Sequence, residues 1–329
     1  MSRVPGSVGL GVIGMGRHGS RYVKHLLEGV PGCHLAAVSR RDAAAGRAFA
    51  AQQGVPFFSG WQELVTRSEV EAVVAVTPPG LNREICLATA RAGKPMLIEK
   101  PLSLTVAEGR EMVGAARAAG VMLMTAQTLR FTPVLVRLRA SLPLIGPLEY
   151  LCLTMRAERP PHAWLGDPAQ AGGGVLLEIG IHLLDLIRYL TGEEAVEAWG
   201  EMSQRHAARV EDLAQVRFRL ASGLPCYVEV SRVSGGRVCR VEAVGQAGQL
   251  IADVDRSLLT RIEGRTIAAT ESVPDRPTVV LVLEAFVRSL TTGVPVPVSG
   301  EDGVRAVAMA DACYRAVRDG RPVPISWTA

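Results

Sequence analysis

Three short patterns in this chain carry residues suited to chemistry. The first is Glu99-Lys100-Pro101, which closes the apolar run from Pro95 to Ile98. A buried parallel strand that ends in charge delivers it to the carboxyl edge of the sheet, where open α/β sheets bind ligands. Lysine is scarce: of 36 basic residues only Lys24, Lys94 and Lys100 are lysines. The compact, titratable ammonium of Lys100 suits hydrogen bonding and stabilisation of developing negative charge. The second pattern is Glu178, His182 and Asp185 within an apolar helical stretch, Val175 to Leu190. Spacings of four and three place them on one face of an α-helix. A polar stripe there meets water, a partner or a cleft. A neutral imidazole at His182 can take a proton near neutral pH; a core histidine held by a carboxylate is the plainer alternative. Gly172-Gly173-Gly174 precedes this helix and would let a substrate or cofactor approach the backbone.

The third pattern is Gly14-Met15-Gly16-Arg17-His18-Gly19, which follows the strand pattern Val8–Ile13 and opens a helix. Gly14 makes a tight turn, Gly16 admits a pyrophosphate, and Gly19 lets helix and strand approach; the helix N-terminus faces the phosphates. Arg17 and His18 add positive charge there. The second strand, His34–Ser39, ends in Ser39-Arg40-Arg41 where an NAD site would carry Asp or Glu. Two guanidiniums and a hydroxyl suit a 2′-phosphate, so NADP(H) is favoured over NAD(H).

These patterns need a scaffold. Strand and helix patterns alternate to about Thr125, predicting a parallel sheet with right-handed crossovers. Thr77-Pro78-Pro79-Gly80 closes one strand, and its turn would present backbone to the nicotinamide side of a dinucleotide. Asn82, the only asparagine, reads as a helix cap. After Gln127 the pattern changes. From Glu197 to Val273 short strands punctuated by Ser-Gly, Gly-Gly and Gly-Gln turns predict a mainly antiparallel sheet, with helices near Val279–Thr291 and Gly303–Gly320.

A length of 329 residues, 48% hydrophobic and 21% charged, fits one or two soluble domains. A net charge of +4 with scattered arginines leaves no nucleic-acid footprint. The six cysteines lie far apart without metal spacing, so reduced thiols and no metal are expected. No apolar run reaches membrane-spanning length, and no apolar leader follows Met1. A cytoplasmic location is expected.

With these residues in place, the chain resembles the Gfo/Idh/MocA family of oxidoreductases. The likeness rests on Gly14-x-Gly16-x-x-Gly19, Thr77-Pro78, Glu99-Lys100-Pro101, Arg130-Phe131-x-Pro133 and the stretch from Gly172 through Glu178 and His182 to Asp185. The resemblance implies an N-terminal Rossmann dinucleotide-binding domain, placed at 1–127. It also implies a C-terminal α+β domain with a large, mainly antiparallel open sheet, at 128–329, through which subunits form homodimers or homotetramers. The implied activity is an NAD(P)-dependent dehydrogenase or reductase acting on CH–OH groups of sugars, inositols or related polyols. Lys100 and His182 fall on the family's catalytic lysine and histidine. Glu178 falls where many members have Asp, Asn82 where many have His, and Gln127 where an amide often lies near the nicotinamide. Arg130, Trp164 and Asp167, with Arg156, Arg159 and His162, would line the substrate side together with Lys100, Glu178 and His182. Two rival functions fit the same residues: a redox-neutral, NAD-dependent glycosidase-like enzyme with a tightly bound cofactor, and a non-enzymatic dinucleotide-binding regulator.

Overall fold

A computed structural model describes residues 6–159, 166–207 and 209–327. Trp164 and His162 lie outside the described residues. The chain forms two compact units, Met1–Ala126 with Pro277–Gly303, and Gln127–Arg276 with Val304–Ala329.

The first unit is built on strands β1 (Val8–Ile13), β2 (Cys33–Ser39), β3 (Phe57–Phe58), β4 (Ala72–Ala75), β5 (Met96–Glu99) and β6 (Leu123–Ala126). They run parallel in the order β3-β2-β1-β4-β5-β6. Between them run helices α1 (Gly19–Glu28), α2 (Ala43–Gln53), α3 (Trp61–Thr66), α4 (Asn82–Arg91) and α5 (Val106–Ala118). The strands read as unbroken apolar runs because both faces are covered: every residue of β4, β5 and β6 is buried. The strand order reverses between β1 and β4, the switch point where such sheets bind ligands. The Rossmann expectation is met.

In the second unit come α6 (Pro133–Ser141), β7 (Leu148–Arg156), the short α7 (Pro168–Ala171), a π-helical turn at Leu176–Gly180 and α8 (Ile181–Thr191). Strands β8 (Ala195–Ser203), β9 (Leu213–Leu220), β10 (Pro225–Ser231), β11 (Val238–Gly245), β12 (Gly248–Asp253), β13 (Leu258–Glu263), β14 (Thr266–Ser272) and β15 (Val323–Pro324) complete it. The sheet order is β14-β13-β12-β11-β7-β10-β9-β8-β15. Among the described residues of this sheet only β7 and β10 pair in parallel; the other pairs are antiparallel. This is the expected open, mainly antiparallel sheet. Helix α8 is anchored by Ile181, Leu183, Leu184, Leu186 and Ile187, all at 0% exposure. Each such burial contributes about 1.5–3 kcal/mol.

The segment Pro277–Gly303, with α9 (Thr278–Thr292), belongs to the first unit, whereas the sequence boundary at 127/128 assigned it to the second domain. Val298 O accepts from Thr125 N–H at 3.1 Å, and Arg117 pairs with Glu301 at 2.8 Å. An amphipathic pattern reveals a helix but not which sheet it covers, so this return is invisible to a linear reading. Among the described residues, no helix is long and apolar enough to cross a membrane.

Candidate active site

The first unit gathers Gly14–Gly19, Ser39–Arg41, Thr77–Pro78 and Glu99–Lys100 at the carboxyl ends of β1, β2, β4 and β5. Gly14 has φ +93°, and a Cβ there would stand 2.3 Å from Val76 O. A Cβ on Gly19 would stand 1.8 Å from Gly14 O. Both glycines are dictated by the chain's own packing. Gly16 differs: a Cβ there would meet no atom of the chain within 4 Å. Its bareness answers no internal contact, which fits a backbone kept open for a pyrophosphate at the start of α1. Met15 is buried at 3% exposure, while Arg17 is exposed.

Glu99 ties this loop to the end of β5. It is 5% exposed. One carboxylate oxygen accepts from the Tyr22 hydroxyl at 2.6 Å and bonds His18 Nε2 at 2.8 Å; the other accepts from the Lys100 backbone N–H at 3.0 Å. Burial pushes the Glu99 carboxyl up. The hydrogen bond and charge of His18, with Lys100 and Tyr22, outweigh burial and hold it at about 2. Burial and the adjacent carboxylate push the Tyr22 hydroxyl well above its usual range. A carboxyl whose folded pKa is depressed contributes stability that is complete above the unfolded value and fades as pH falls through the folded one. Between pH 4.5 and 2, wild type should therefore lose about 3 kcal/mol more stability than Glu99→Gln. Urea unfolding at stepped pH checks this, and equal pH dependence of the two proteins rejects it.

Asn82 corrects a sequence expectation. It does not cap α4, whose N-terminus has no side-chain cap. Its amide, 1% exposed, donates to Pro101 O at 3.0 Å, Leu102 O at 3.2 Å and Glu99 O at 3.4 Å, and its carbonyl accepts from Thr77 Oγ1 at 3.0 Å. One side chain thus braces the Thr77-Pro78 turn against the backbone around Lys100, whose peptide to Pro101 is cis. Asp42 does cap α2, accepting from Ala45 N–H at 3.0 Å. That leaves Arg40 and Arg41 at the end of β2 with no ion-pair partner among the described residues.

The second unit carries Gln127, Arg130, Asp167, Glu178 and His182. Gln127 is 1% exposed, and neither end of its amide has a hydrogen-bond partner among the described residues. The π-helical turn at Leu176–Gly180 corrects the expected straight helix. Glu178 lies within this turn and Asp185 beyond it, and the two carboxylates take separate partners. Glu178 forms a bidentate pair with Arg232 at 2.5 and 2.6 Å. Asp185, 1% exposed, forms one with Arg130, both bonds at 2.6 Å. His182 lies half-buried between these positions. Asp167 accepts from Gln170 at 2.8 Å and faces Arg209 at 3.4 Å. Two of the glycines before the helix are explained by protein contacts: a Cβ on Gly173 would stand 2.3 Å from the Tyr314 hydroxyl, and one on Gly174 1.9 Å from Glu211 O. Gly173 and Gly174 thus accommodate the chain itself. Among the described residues no three His, Cys, Asp or Glu side chains cluster as a metal site.

Residues 8–127 match the model described as an oxidoreductase family with an NAD-binding Rossmann fold, and residues 144–251 match the GFO/IDH/MocA C-terminal domain. Inositol 2-dehydrogenase 1 of Saccharopolyspora erythraea is 31% identical over 331 residues, covering 97% of this chain and 96% of that protein. The chain belongs to the GFO/IDH/MocA family of oxidoreductases. Myo-inositol 2-dehydrogenase of Thermotoga maritima is 28% identical over 338 residues, 96% of this chain and 98% of that protein. The crystal structure of aldose-aldose oxidoreductase from Caulobacter crescentus, complexed with glycerol, superposes with a TM-score of 0.88 at 25% identity, covering 97% of this chain and all (100%) of that one. In this GFO/IDH/MocA member the glycine loop and the Glu99 anchor fit the dinucleotide that the family's Rossmann domain binds. The bonds of Asn82 to Glu99 O and of Arg232 to Glu178 join the predicted site residues to partners that the motifs did not reveal. Asn82 alone carried a hint, as the single asparagine beside a Pro-Pro turn.

Proposed function

We propose that the protein interconverts a secondary alcohol and a carbonyl of a sugar, inositol or related polyol, with NADP(H) favoured over NAD(H). The observation that carries this reading is the Glu99 anchor, which joins phosphate-loop His18 to the backbone of Lys100. The printed names of the relatives, inositol 2-dehydrogenases among them, support the polyol class. The nicotinamide cofactor, when bound, supplies the redox chemistry. Lys100 hydrogen-bonds the reacting oxygen and stabilises negative charge as it develops. His182 takes the hydroxyl proton in oxidation and returns it in reduction. The buried, unpaired amide of Gln127 suits the carboxamide of a nicotinamide. Glu178 is neutralised by Arg232, so its part is hydrogen bonding to substrate and not proton transfer.

Arg40 and Arg41 support the NADP(H) preference, since guanidiniums bind a phosphate bidentately. Arg40→Ala and Arg41→Ala should each raise KM for NADP about tenfold or more and leave KM for NAD within about twofold. The test of function is a screen of sugars, inositols, sugar acids and small carbonyls with both cofactors. Net reduction of added NADP by a polyol supports the reading. Turnover without net cofactor consumption favours a redox-neutral enzyme, and a clear NAD preference overturns the cofactor assignment. Tyr150, Trp199 and Tyr227 stand exposed on the outer face of the second unit's sheet, which supports a homodimer or homotetramer formed there.

A further inference from the structure

Helix N-termini leave their leading N–H groups without intrahelical partners. In the second unit three consecutive ones converge on a single residue far along the chain. Gly174 N–H donates to Glu211 Oε2 at 2.9 Å, Val175 N–H to the Glu211 carbonyl at 2.9 Å, and Leu176 N–H to Glu211 Oε1 at 3.1 Å. The Tyr314 hydroxyl donates to the same Oε1 at 2.8 Å. Glu211 is 9% exposed. The fit is close enough to exclude any Cβ at Gly174, which would stand 2.6 Å from Oε2.

We propose that Glu211 is a positioning residue that locks the π turn and thereby sets the rotation of His182 and the reach of Glu178. Beyond the π turn, α8 is held by five fully buried apolar side chains between Ile181 and Ile187. Glu211 holds the near end. A segment pinned at both ends accommodates one surplus residue as a π turn, at Leu176–Gly180. Relaxing that turn to α geometry would rotate the residues on one side of it by about 100° relative to the other. Glu178 could then not keep both bonds to Arg232 while His182 kept its place. A carboxylate suits the clamp because it only accepts, and three donors point at it; an amide at this position would set its own NH2 against an N–H. The catalytic consequence rests on the reading of His182 as the proton-transfer group.

The test is Glu211→Gln, with Tyr314→Phe beside it. Glu211→Gln should lower kcat about tenfold or more, since small misplacements of reacting groups are costly. Its dinucleotide affinity should stay within about twofold of wild type, and amide hydrogen exchange should quicken in 174–182 but not in the sheet strands. Tyr314→Phe keeps both carboxylate bonds to backbone and should lower kcat about threefold. Wild-type kcat in Glu211→Gln overturns the proposal, as does exchange that quickens everywhere with loss of dinucleotide binding. Should Glu211→Gln fail to fold, Tyr314→Phe decides, and wild-type kcat with unchanged exchange in 174–182 overturns the clamp. A wild-type protein without oxidoreductase activity overturns the functional reading instead. Unchanged 174–182 protection in Glu211→Gln would in that case still reject the clamp by itself.

Discussion

Lys100→Ala and His182→Ala are each expected to lower kcat by about two orders of magnitude or more, with dinucleotide affinity held within about threefold. The two losses have different origins. In the proposed mechanism, truncating Lys100 removes a charged donor from the oxygen on which negative charge develops. Its backbone should stay in place, because Glu99 accepts from its N–H and Asn82 donates to Glu99 O, Pro101 O and Leu102 O. Truncating His182 removes the proposed proton acceptor, while the apolar anchors of α8 keep the helix seated. Neither change touches Gly14, Gly16 or Gly19, so a fluorescence titration with NADPH should separate binding from chemistry. The proposed mechanism gives both residues to one step, and residues that serve one step act as a unit. The double variant should therefore lose far less than the product of the single losses. Near-normal turnover of a true substrate by either single variant would sink the assignment.

The parts of this architecture legible in the sequence are those written in local patterns. The Rossmann half announces itself because strands buried on both faces are unbroken apolar runs, and because Gly14, Gly16 and Gly19 sit between strand and helix. The antiparallel sheet is legible from its turns and alternation. What stays hidden depends on pairing across long stretches of chain. Glu178 meets Arg232, 54 residues on; Gly174 meets Glu211, 37 residues on. No spacing rule connects such pairs. The π turn is hidden for the same reason, since it follows from where its two ends are held and not from any residue within it. The packing at Gly173 and Gly174 is hidden because a glycine records that space is needed and not which atom fills it. The role of Asn82 is hidden because helix-start statistics favour a cap over a side chain that turns toward a neighbouring strand end.

The largest effect on stability is expected at Asp185. Its carboxylate is 1% exposed, and its partner Arg130 has a side chain only 10% exposed. The guanidinium also lies over the ring of Tyr189, 5.8 Å from the centroid. Breaking a buried pair strands a charge, so Asp185→Ala should destabilise the protein by about 3–5 kcal/mol and lower Tm by on the order of 10 °C. Arg130→Met should cost less, because a stranded carboxyl can bind a proton whereas a guanidinium stays charged. Replacing both, as Arg130→Met with Asp185→Leu, removes the stranded charge and should recover most of the loss. A loss below about 1 kcal/mol in Asp185→Ala would mean that the pair behaves as an exposed one. The stable double variant also tests the substrate-lining role expected of Arg130. Arg130 Nε and Nη2 both point to Asp185, so KM for a polyol is expected to be unchanged. A raised KM with normal stability would return Arg130 to the substrate, and the pair would then be a means of aiming it.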